Sequence, residues 1–333
     1  MSTRRDFVSS FATVGAVGAA AMAFGTPNSA KADTPAAFGN GRGHAIEGPY
    51  LDLRTGKGNQ LAFARMQGDL DFGKPKRGWY KGYVSAVRPD KKLEDLFGFE
   101  GFGAVKLEKM PDGSIRRILR EVGLYTDLKS GDVLEEWYNP YIDERVRVVP
   151  VANDPFNYVI EENFPEPPKF GGLNTEKPPR VPFILPWQQR GGRLDMEIHI
   201  HLLYPNALKP EEWPRESSGK FVRVSEFFAH HVSAADMQNP KLTKLPMHGV
   251  WNRVTPWLPW MLMGQAAGHC QYACFMGSGE PLEEIFSRKV LDYIEKNFLK
   301  YLEPPAQWSD ISLSSLENYA REQKPAPAKG ATP

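Results

Sequence analysis

Between Arg116 and Asp154 the chain reads RRILREVGLYTDLKSGDVLEEWYNPYIDERVRVVPVAND. In its first part Ile118, Arg120, Val122 and Leu124 fall on one face of an extended segment. Leu119, Glu121, Gly123 and Tyr125 fall on the other. A period of two is the mark of a β-strand. Asp127, Ser130, Gly131 and Asp132 then supply turn chemistry, Gly through positive φ and Asp and Ser through side-chain bonds to nearby backbone. Val133 to Tyr138 reads as a second strand and Arg145 to Val151 as a third. Asn139-Pro140 turns between them, because Pro presets φ and cannot donate to a ladder. A three-strand meander of this kind predicts an antiparallel barrel or sandwich.

The N-terminus has to be set aside before the fold is counted. Arg4 and Arg5 stand in Thr3-Arg4-Arg5-Asp6-Phe7-Val8. An Ala/Gly-rich segment runs from Phe7 to Phe24, and Pro27 precedes the small-residue site Ala30-Lys31-Ala32. This is the layout of a cleaved export signal over residues 1–32 with a twin-arginine pair. A membrane-spanning helix needs about 20 consecutive apolar residues, and Gly15, Gly18 and many alanines dilute this one. The expectation is a bacterial periplasmic or secreted protein, handed to the twin-arginine export machinery already folded, with no stable membrane anchor after cleavage.

Residues 1–32 carry three Lys/Arg and one Asp, so their removal moves the net charge from +1 to −1. A near-neutral chain offers nucleic acid or an anionic membrane no electrostatic footprint. The two cysteines, Cys270 and Cys274, are four apart. On a strand that spacing is about 13 Å, whereas a disulfide needs Cα atoms within about 7 Å. Two free, buried thiols are expected.

Along the rest of the chain, residues 33–60 read as an irregular Gly/Pro-rich leader. Leu61 to Leu70 is assigned as a first strand, Trp79 to Val87 as a second, and the Gly/Phe run Leu96 to Gly103 continues as strand through Glu108. Phe156 to Ile160 adds a short one. Phe164 to Pro186 is too rich in proline for regular structure and reads as a crossing loop. Leu194 to Tyr204 is a strand with Lys220 to His231 as its antiparallel partner, and His269 to Met276 is the last. From Pro281, with Glu283 and Glu284 in the first turn, Leu282, Phe286, Val290, Ile294, Phe298 and Leu302 recur every four residues and predict one amphipathic helix over 281–302. Pro304-Pro305 stops it. The expected organisation is one β-barrel domain over 61–303, with a C-terminal extension over 304–333 that is partly disordered.

The meander, FGFEGFG, RVSEFF (Arg223 to Phe228) and above all RVTPWLPWMLMGQ (Arg253 to Gln265) resemble one family, the exported bacterial proteins grouped as the domain of unknown function numbered 1838. The resemblance spans roughly Leu61 to Met276. It implies a secreted, β-rich, lipocalin-like barrel. No catalytic residue is carried over from it.

Three constellations could carry chemistry. Glu197, His199 and His201 share one face of a strand, about 7 Å apart, and could hold a metal ion with His231 from the partner strand, which also offers Glu226 and His230. Strand histidines that are exposed or hydrogen-bonded fit the same pattern, and Pro205 stands where a cupin would place its Glu. No cofactor is expected, a transition metal being the lesser alternative. Trp251, Arg253, Trp257 and Trp260 crowd into ten residues stiffened by Pro256 and Pro259. They suit a flat or anionic organic ligand, or else a packed lid. Met247, Met261 and Met263 add adaptable apolar lining. Glu121 and Glu136 sit at interior-looking strand positions, where burial would raise a carboxyl pKa; salt bridges to the arginines around them are the other outcome. Nucleophile-elbow, P-loop and dinucleotide motifs are absent.

These features predict a protein that encloses a small hydrophobic or aromatic molecule and acts on it by cofactor-free acid–base chemistry, as an isomerase, hydratase or lyase would. Glu121, Glu136, His199 and His201 are its candidate catalytic groups. A non-catalytic periplasmic carrier is the alternative.

Overall fold

The computed structural model describes residues 46–164, 180–310 and 313–327. The export signal, most of the leader and the centre of the proline-rich crossing lie outside the described residues. The chain is mainly β. Ten antiparallel strands form one sheet: β1 (Lys76–Val87), β2 (Glu94–Lys109), β3 (Ile115–Thr126), β6 (Val151–Asn153), β7 (Tyr158–Ile160), β8 (Trp187–Arg190), β9 (Arg193–Pro205), β10 (Phe221–Ser233), β11 (Met247–Thr255) and β12 (His269–Ser278). Their order is β6-β3-β2-β1-β12-β11-β10-β9-β8, with β7 also on β3. A separate hairpin joins β4 (Glu136–Asn139) to β5 (Glu144–Arg147), and a one-turn helix, α2 (Ala234–Met237), follows β10.

The expected meander is therefore divided. One edge of β3 pairs with β2 along its whole length. Its other edge is taken by β6 at residues 121–123 and by β7 at residues 115–117. Beyond the Thr126–Val133 bridge the second and third expected strands find no room there, and they pair with each other instead.

The alternation along β3 has two apolar destinations. Leu119 and Tyr125 face the main core. Val122 and Leu124 face a second cluster with Phe102, Leu282, Phe286, Val290 and Ile294. The C-terminal apolar stripe thus packs on the outer face of β2 and β3. It is not one helix. Phe286 is extended and Ser287 caps a new start, giving α3 (Leu282–Ile285) and α4 (Arg288–Asn297), then a 3-10 turn at Leu299–Leu302. A Ser that accepts from the backbone three residues on begins a helix, and here it divides one.

The segment assigned as a first strand is a helix. In α1 (Gly56–Gln67) the Thr55 hydroxyl accepts from the Gly58 N–H, and nine of its residues are buried. A helix buried all round has no polar face to reveal its period, so a short apolar run of this kind cannot be told from a buried strand. No ladder joins β8 to β6 or β7 among the described residues, and the helix stands between these sheet ends. Asn59 reaches the β8 side, accepting from the Leu185 N–H at 3.0 Å and the Trp187 Nε1–H at 2.8 Å. Gln60 reaches the β7 side, donating to the Ile160 carbonyl at 2.9 Å. Between the same ends, the segment after β7 meets the segment before β8 in an isolated Asn163–Pro182 bridge, the Phe164 N–H donating to the Val181 carbonyl and the Phe183 N–H to the Glu162 carbonyl, both at 2.8 Å.

The Gly/Phe run has a packing explanation. Gly101 of β2 and Gly123 of β3 are register partners, and a Cβ on either would lie 2.2–2.3 Å from the Tyr80 hydroxyl. The two glycines make a slot through which that hydroxyl donates to the Val122 carbonyl at 3.0 Å.

Candidate functional site

Alternation decides which side chains reach the interior. On β10 the buried set is Val222, Val224, Glu226, Phe228, His230 and Val232. On β11 it includes Trp251, Arg253 and Thr255, and on β12 Cys270, Tyr272, Cys274 and Met276. Register places Glu226 opposite Arg253, and Arg253 opposite Tyr272. One row across three strands thus runs carboxyl, guanidinium, phenol, all buried.

The row is electrostatically tense. Arg253 Nη1 lies 3.6 Å from Glu226 Oε1, too far for a hydrogen bond. Both Glu226 oxygens and Arg253 Nε are buried without a hydrogen-bond partner. Arg253 Nη2 reaches Thr255 Oγ1 only at 3.5 Å, and its guanidinium stands 5.9 Å from the Tyr272 ring centre. Burial pushes the Glu226 carboxyl up to about 7, against the opposing pull of Arg253. Glu121, on the inner face of β3, is fully buried. Burial raises its carboxyl to about 8, although the Asn153 amide donates to Oε1 at 2.6 Å. Glu121 also feels the charges of the row, because Glu226 raises its pKa further and Arg253 lowers it. The neighbouring His230 is driven down to about 4 by burial and stays neutral at pH 7.

Beside this row lies a cavity of about 100 Å³. Arg253, Tyr272, Tyr125 and Tyr204 line it from the sheet, and Pro256 to Trp260 line it from the segment that leaves β11. The Tyr125 and Tyr272 hydroxyls share a hydrogen bond of 3.0 Å. Trp257 is held by its Nε1–H to the Ala266 carbonyl at 2.9 Å. Trp260 packs edge-on against Tyr125 at 5.2 Å. The 3-10 turn Pro259–Met261 is pinned by Asn139, whose amide donates to the Met261 carbonyl at 2.8 Å.

The third wall comes from the C-terminal extension. There Ser314 opens a capped helix, α5 (Ser315–Glu322), with Glu317 completing a reciprocal capping box. Leu316, Asn318 and Tyr319 face the cavity. Asn318 donates to Asn153 Oδ1 at 2.9 Å, and Asn153 donates to Glu121, so an amide relay ties the buried acid to α5. Beyond α5 the Ala326 N–H donates to Glu216 and the Pro327 carbonyl accepts from Arg215.

The structure sorts the candidate residues. Arg253, Trp257 and Trp260 line the cavity, while Trp251 lies behind them, fully buried against Tyr80, Phe99, Phe228 and Tyr272. Glu121 is interior. Glu136, read as an interior position, is exposed on β4 because that hairpin has left the main sheet. His199 and His201 are on the outer face of β9, since Ile198, Ile200 and Leu202 take the core side. Both rings edge onto Phe227, and His201 Nδ1 lies 3.0 Å from Ser225 Oγ. Glu197 is exposed, and His231 pairs with Asp195 at 2.7 Å rather than with the other histidines. Among the described residues no group of three His, Cys, Asp or Glu side chains is gathered as a metal ion would need. Cys270 and Cys274 are free and buried.

Glu226 was legible as more than a possible metal ligand. In VRVSEFFAHHV it shares its face with Val222, Val224, Phe228 and Val232, the signature of a carboxyl aimed at a core. α5 announced itself through Ser314-x-x-Glu317, though nothing local said where it would dock.

A search of curated proteins finds no match to this chain. A model of the family described as protein of unknown function, DUF1838, matches residues 73–323, a span that holds the Glu226–Arg253–Tyr272 row, the cavity walls and α5, and the chain belongs to that family.

Proposed function

We propose that the protein binds a small, partly aromatic molecule in the cavity walled by Arg253, Trp257, Trp260 and Tyr272, and acts on it by acid–base chemistry. The observation that carries this reading is the unfinished state of Arg253. A guanidinium that is 6 % exposed and leaves its Nε–H without an acceptor is costly to bury. A ligand acceptor in the adjoining cavity would satisfy it. The sheet then serves as a lipocalin-like container in a protein exported through the Arg4-Arg5 signal and left without a membrane anchor.

The chemistry would fall to Glu226 and Glu121, whose raised pKa values of about 7 and about 8 suit proton transfer near neutrality. Neither borders the cavity. Glu226 stands behind Arg253 and Glu121 behind Asn153. That one-layer remove favours the carrier alternative as the second reading. A thermal-shift screen of small aromatic compounds, followed by NMR of each hit for turnover, separates the two. Turnover that Glu226→Gln abolishes while binding persists supports the enzyme. Binding with no turnover leaves the carrier, and no hit at all overturns the pocket.

A further inference from the structure

The cavity has a second pole. Glu216, on the excursion between β9 and β10, is 3 % exposed and lines the same cavity as Arg253. Its Oε1 accepts from the Ala326 N–H at 2.5 Å. Its Oε2 is buried and has no hydrogen-bond partner. A buried carboxyl oxygen left in this condition asks for a donor, as the Arg253 Nε–H asks for an acceptor. The same cavity is lined by the rings of Trp257, Trp260, Tyr204 and Tyr272. At about 100 Å³ the enclosed volume is smaller than the ~150 Å³ of a dry cavity that holds benzene, so a ligand of one ring can only be partly enclosed, its substituents reaching the open side, and a fused polycycle is excluded.

We propose that the ligand is a single-ring aromatic acid bearing a hydroxyl group, its carboxylate meeting Arg253 and its hydroxyl donating to Glu216. This rests on the small-molecule reading above and goes beyond it by naming the class and a specificity residue. Two features support the polarity. Arg253 has an N–H to give beyond its long approach to Glu226, which suits an anionic acceptor. Glu216 Oε1 is already fixed by the Ala326 N–H, so the carboxyl is held in one orientation with Oε2 left for a donor. A site built to receive a hydroxyl proton should discriminate sharply against a ligand that lacks one, because the buried acceptor then stays unpaired.

The test uses the full chain and three sets of probes: the three hydroxybenzoate isomers, benzoate, and the matching methoxybenzoates, each titrated calorimetrically. At least one hydroxybenzoate should bind about tenfold or more tightly than benzoate, and its methoxy counterpart should be rejected, as expected where a buried acceptor meets no donor. Glu216→Gln offers an N–H to the cavity in place of that acceptor. It should narrow the hydroxyl-over-methoxyl preference to within about threefold. Equal binding of hydroxybenzoate and benzoate, or a preference that Glu216→Gln does not move, would overturn the inference. So would binding of none of these probes when the wider screen yields hits of other chemistry, an outcome that leaves the pocket itself standing. Failure of the whole screen would instead remove the reading on which this inference rests.

Discussion

Replacing Arg253 by Met keeps the length of the side chain and removes the one charge that favours ionised Glu226. The consequence depends on pH in a way that packing alone cannot imitate. In the native protein the Glu226 carboxyl titrates near about 7 instead of the ordinary 4.5. The folded state therefore keeps a proton that the unfolded chain releases, and stability falls as pH rises between those values. At about 1.4 kcal/mol per pH unit the fall is about 3 kcal/mol. Above pH 7 the native carboxyl ionises against Arg253 and the fall stops. Without Arg253 the carboxyl must stay neutral to higher pH, so in the variant the fall continues. At pH 5.5 both proteins hold Glu226 protonated, and Arg253→Met should cost within about 1 kcal/mol, because exchanging a buried charge for an apolar group is often near neutral. By pH 9 the loss should approach ~3–5 kcal/mol, the scale of a buried charge deprived of its partner. Urea unfolding at pH 5.5, 7 and 9 measures this directly. The double variant Arg253→Met, Glu226→Gln should lose the part of the pH dependence that Glu226 supplies and keep the part that belongs to buried Glu121. A loss of equal size at all three pH values in the single variant would refute the coupling of Arg253 to Glu226.

Trp251→Ala, in the fully buried ring cluster, should cost ~3–5 kcal/mol in urea unfolding, whereas Trp257→Ala on the cavity wall should cost clearly less; equal losses would make the wall ordinary core. Lys76 donates to the carbonyls of Arg65, Met66 and Leu245, so Lys76→Met should leave the end of α1 unpaired, lower stability by ~1–3 kcal/mol and speed amide exchange in α1. Unchanged exchange there would show that the helix does not depend on this anchor. Replacing Arg4 and Arg5 by Lys should trap the precursor in the cytoplasm, and undiminished periplasmic yield, measured by fractionation, would rule out the twin-arginine route.

The long strands were legible because alternation with one apolar face is a local property. Trp79 to Val87, Leu194 to Tyr204 and Lys220 to His231 lie within β1, β9 and β10 or extend them by a residue. What stayed hidden was decided by neighbours distant in sequence. α1 reads like a strand because both its faces are buried. β4 and β5 left the meander because β6 and β7 had taken the edge of β3. β11 was obscured because Trp251 and Arg253 blend into the proline-stiffened segment that follows the strand. In the site, the density of Trp and Arg between Trp251 and Trp260 pointed to the right segment but could not divide core from wall. That division came from the strand end at Thr255: Trp251 lies within β11 and packs inward, whereas Trp257 and Trp260 lie beyond it. The histidine pair of β9 was a matter of face. Ile198 and Ile200 claimed the core, and the register carried His199 and His201 outward with them.

The central claim is that Arg253 completes its hydrogen bonding with a ligand in the cavity beside it. The direct measurement is calorimetric affinity of the best ligand from the screen for the native protein and for Arg253→Met at pH 5.5, where the variant keeps its fold. The account predicts that the variant binds about tenfold or more weakly, the usual consequence of losing a hydrogen bond to a charged group, with its stability within about 1 kcal/mol of the native value. Unchanged affinity would contradict it and leave the Trp/Arg segment as a packed wall.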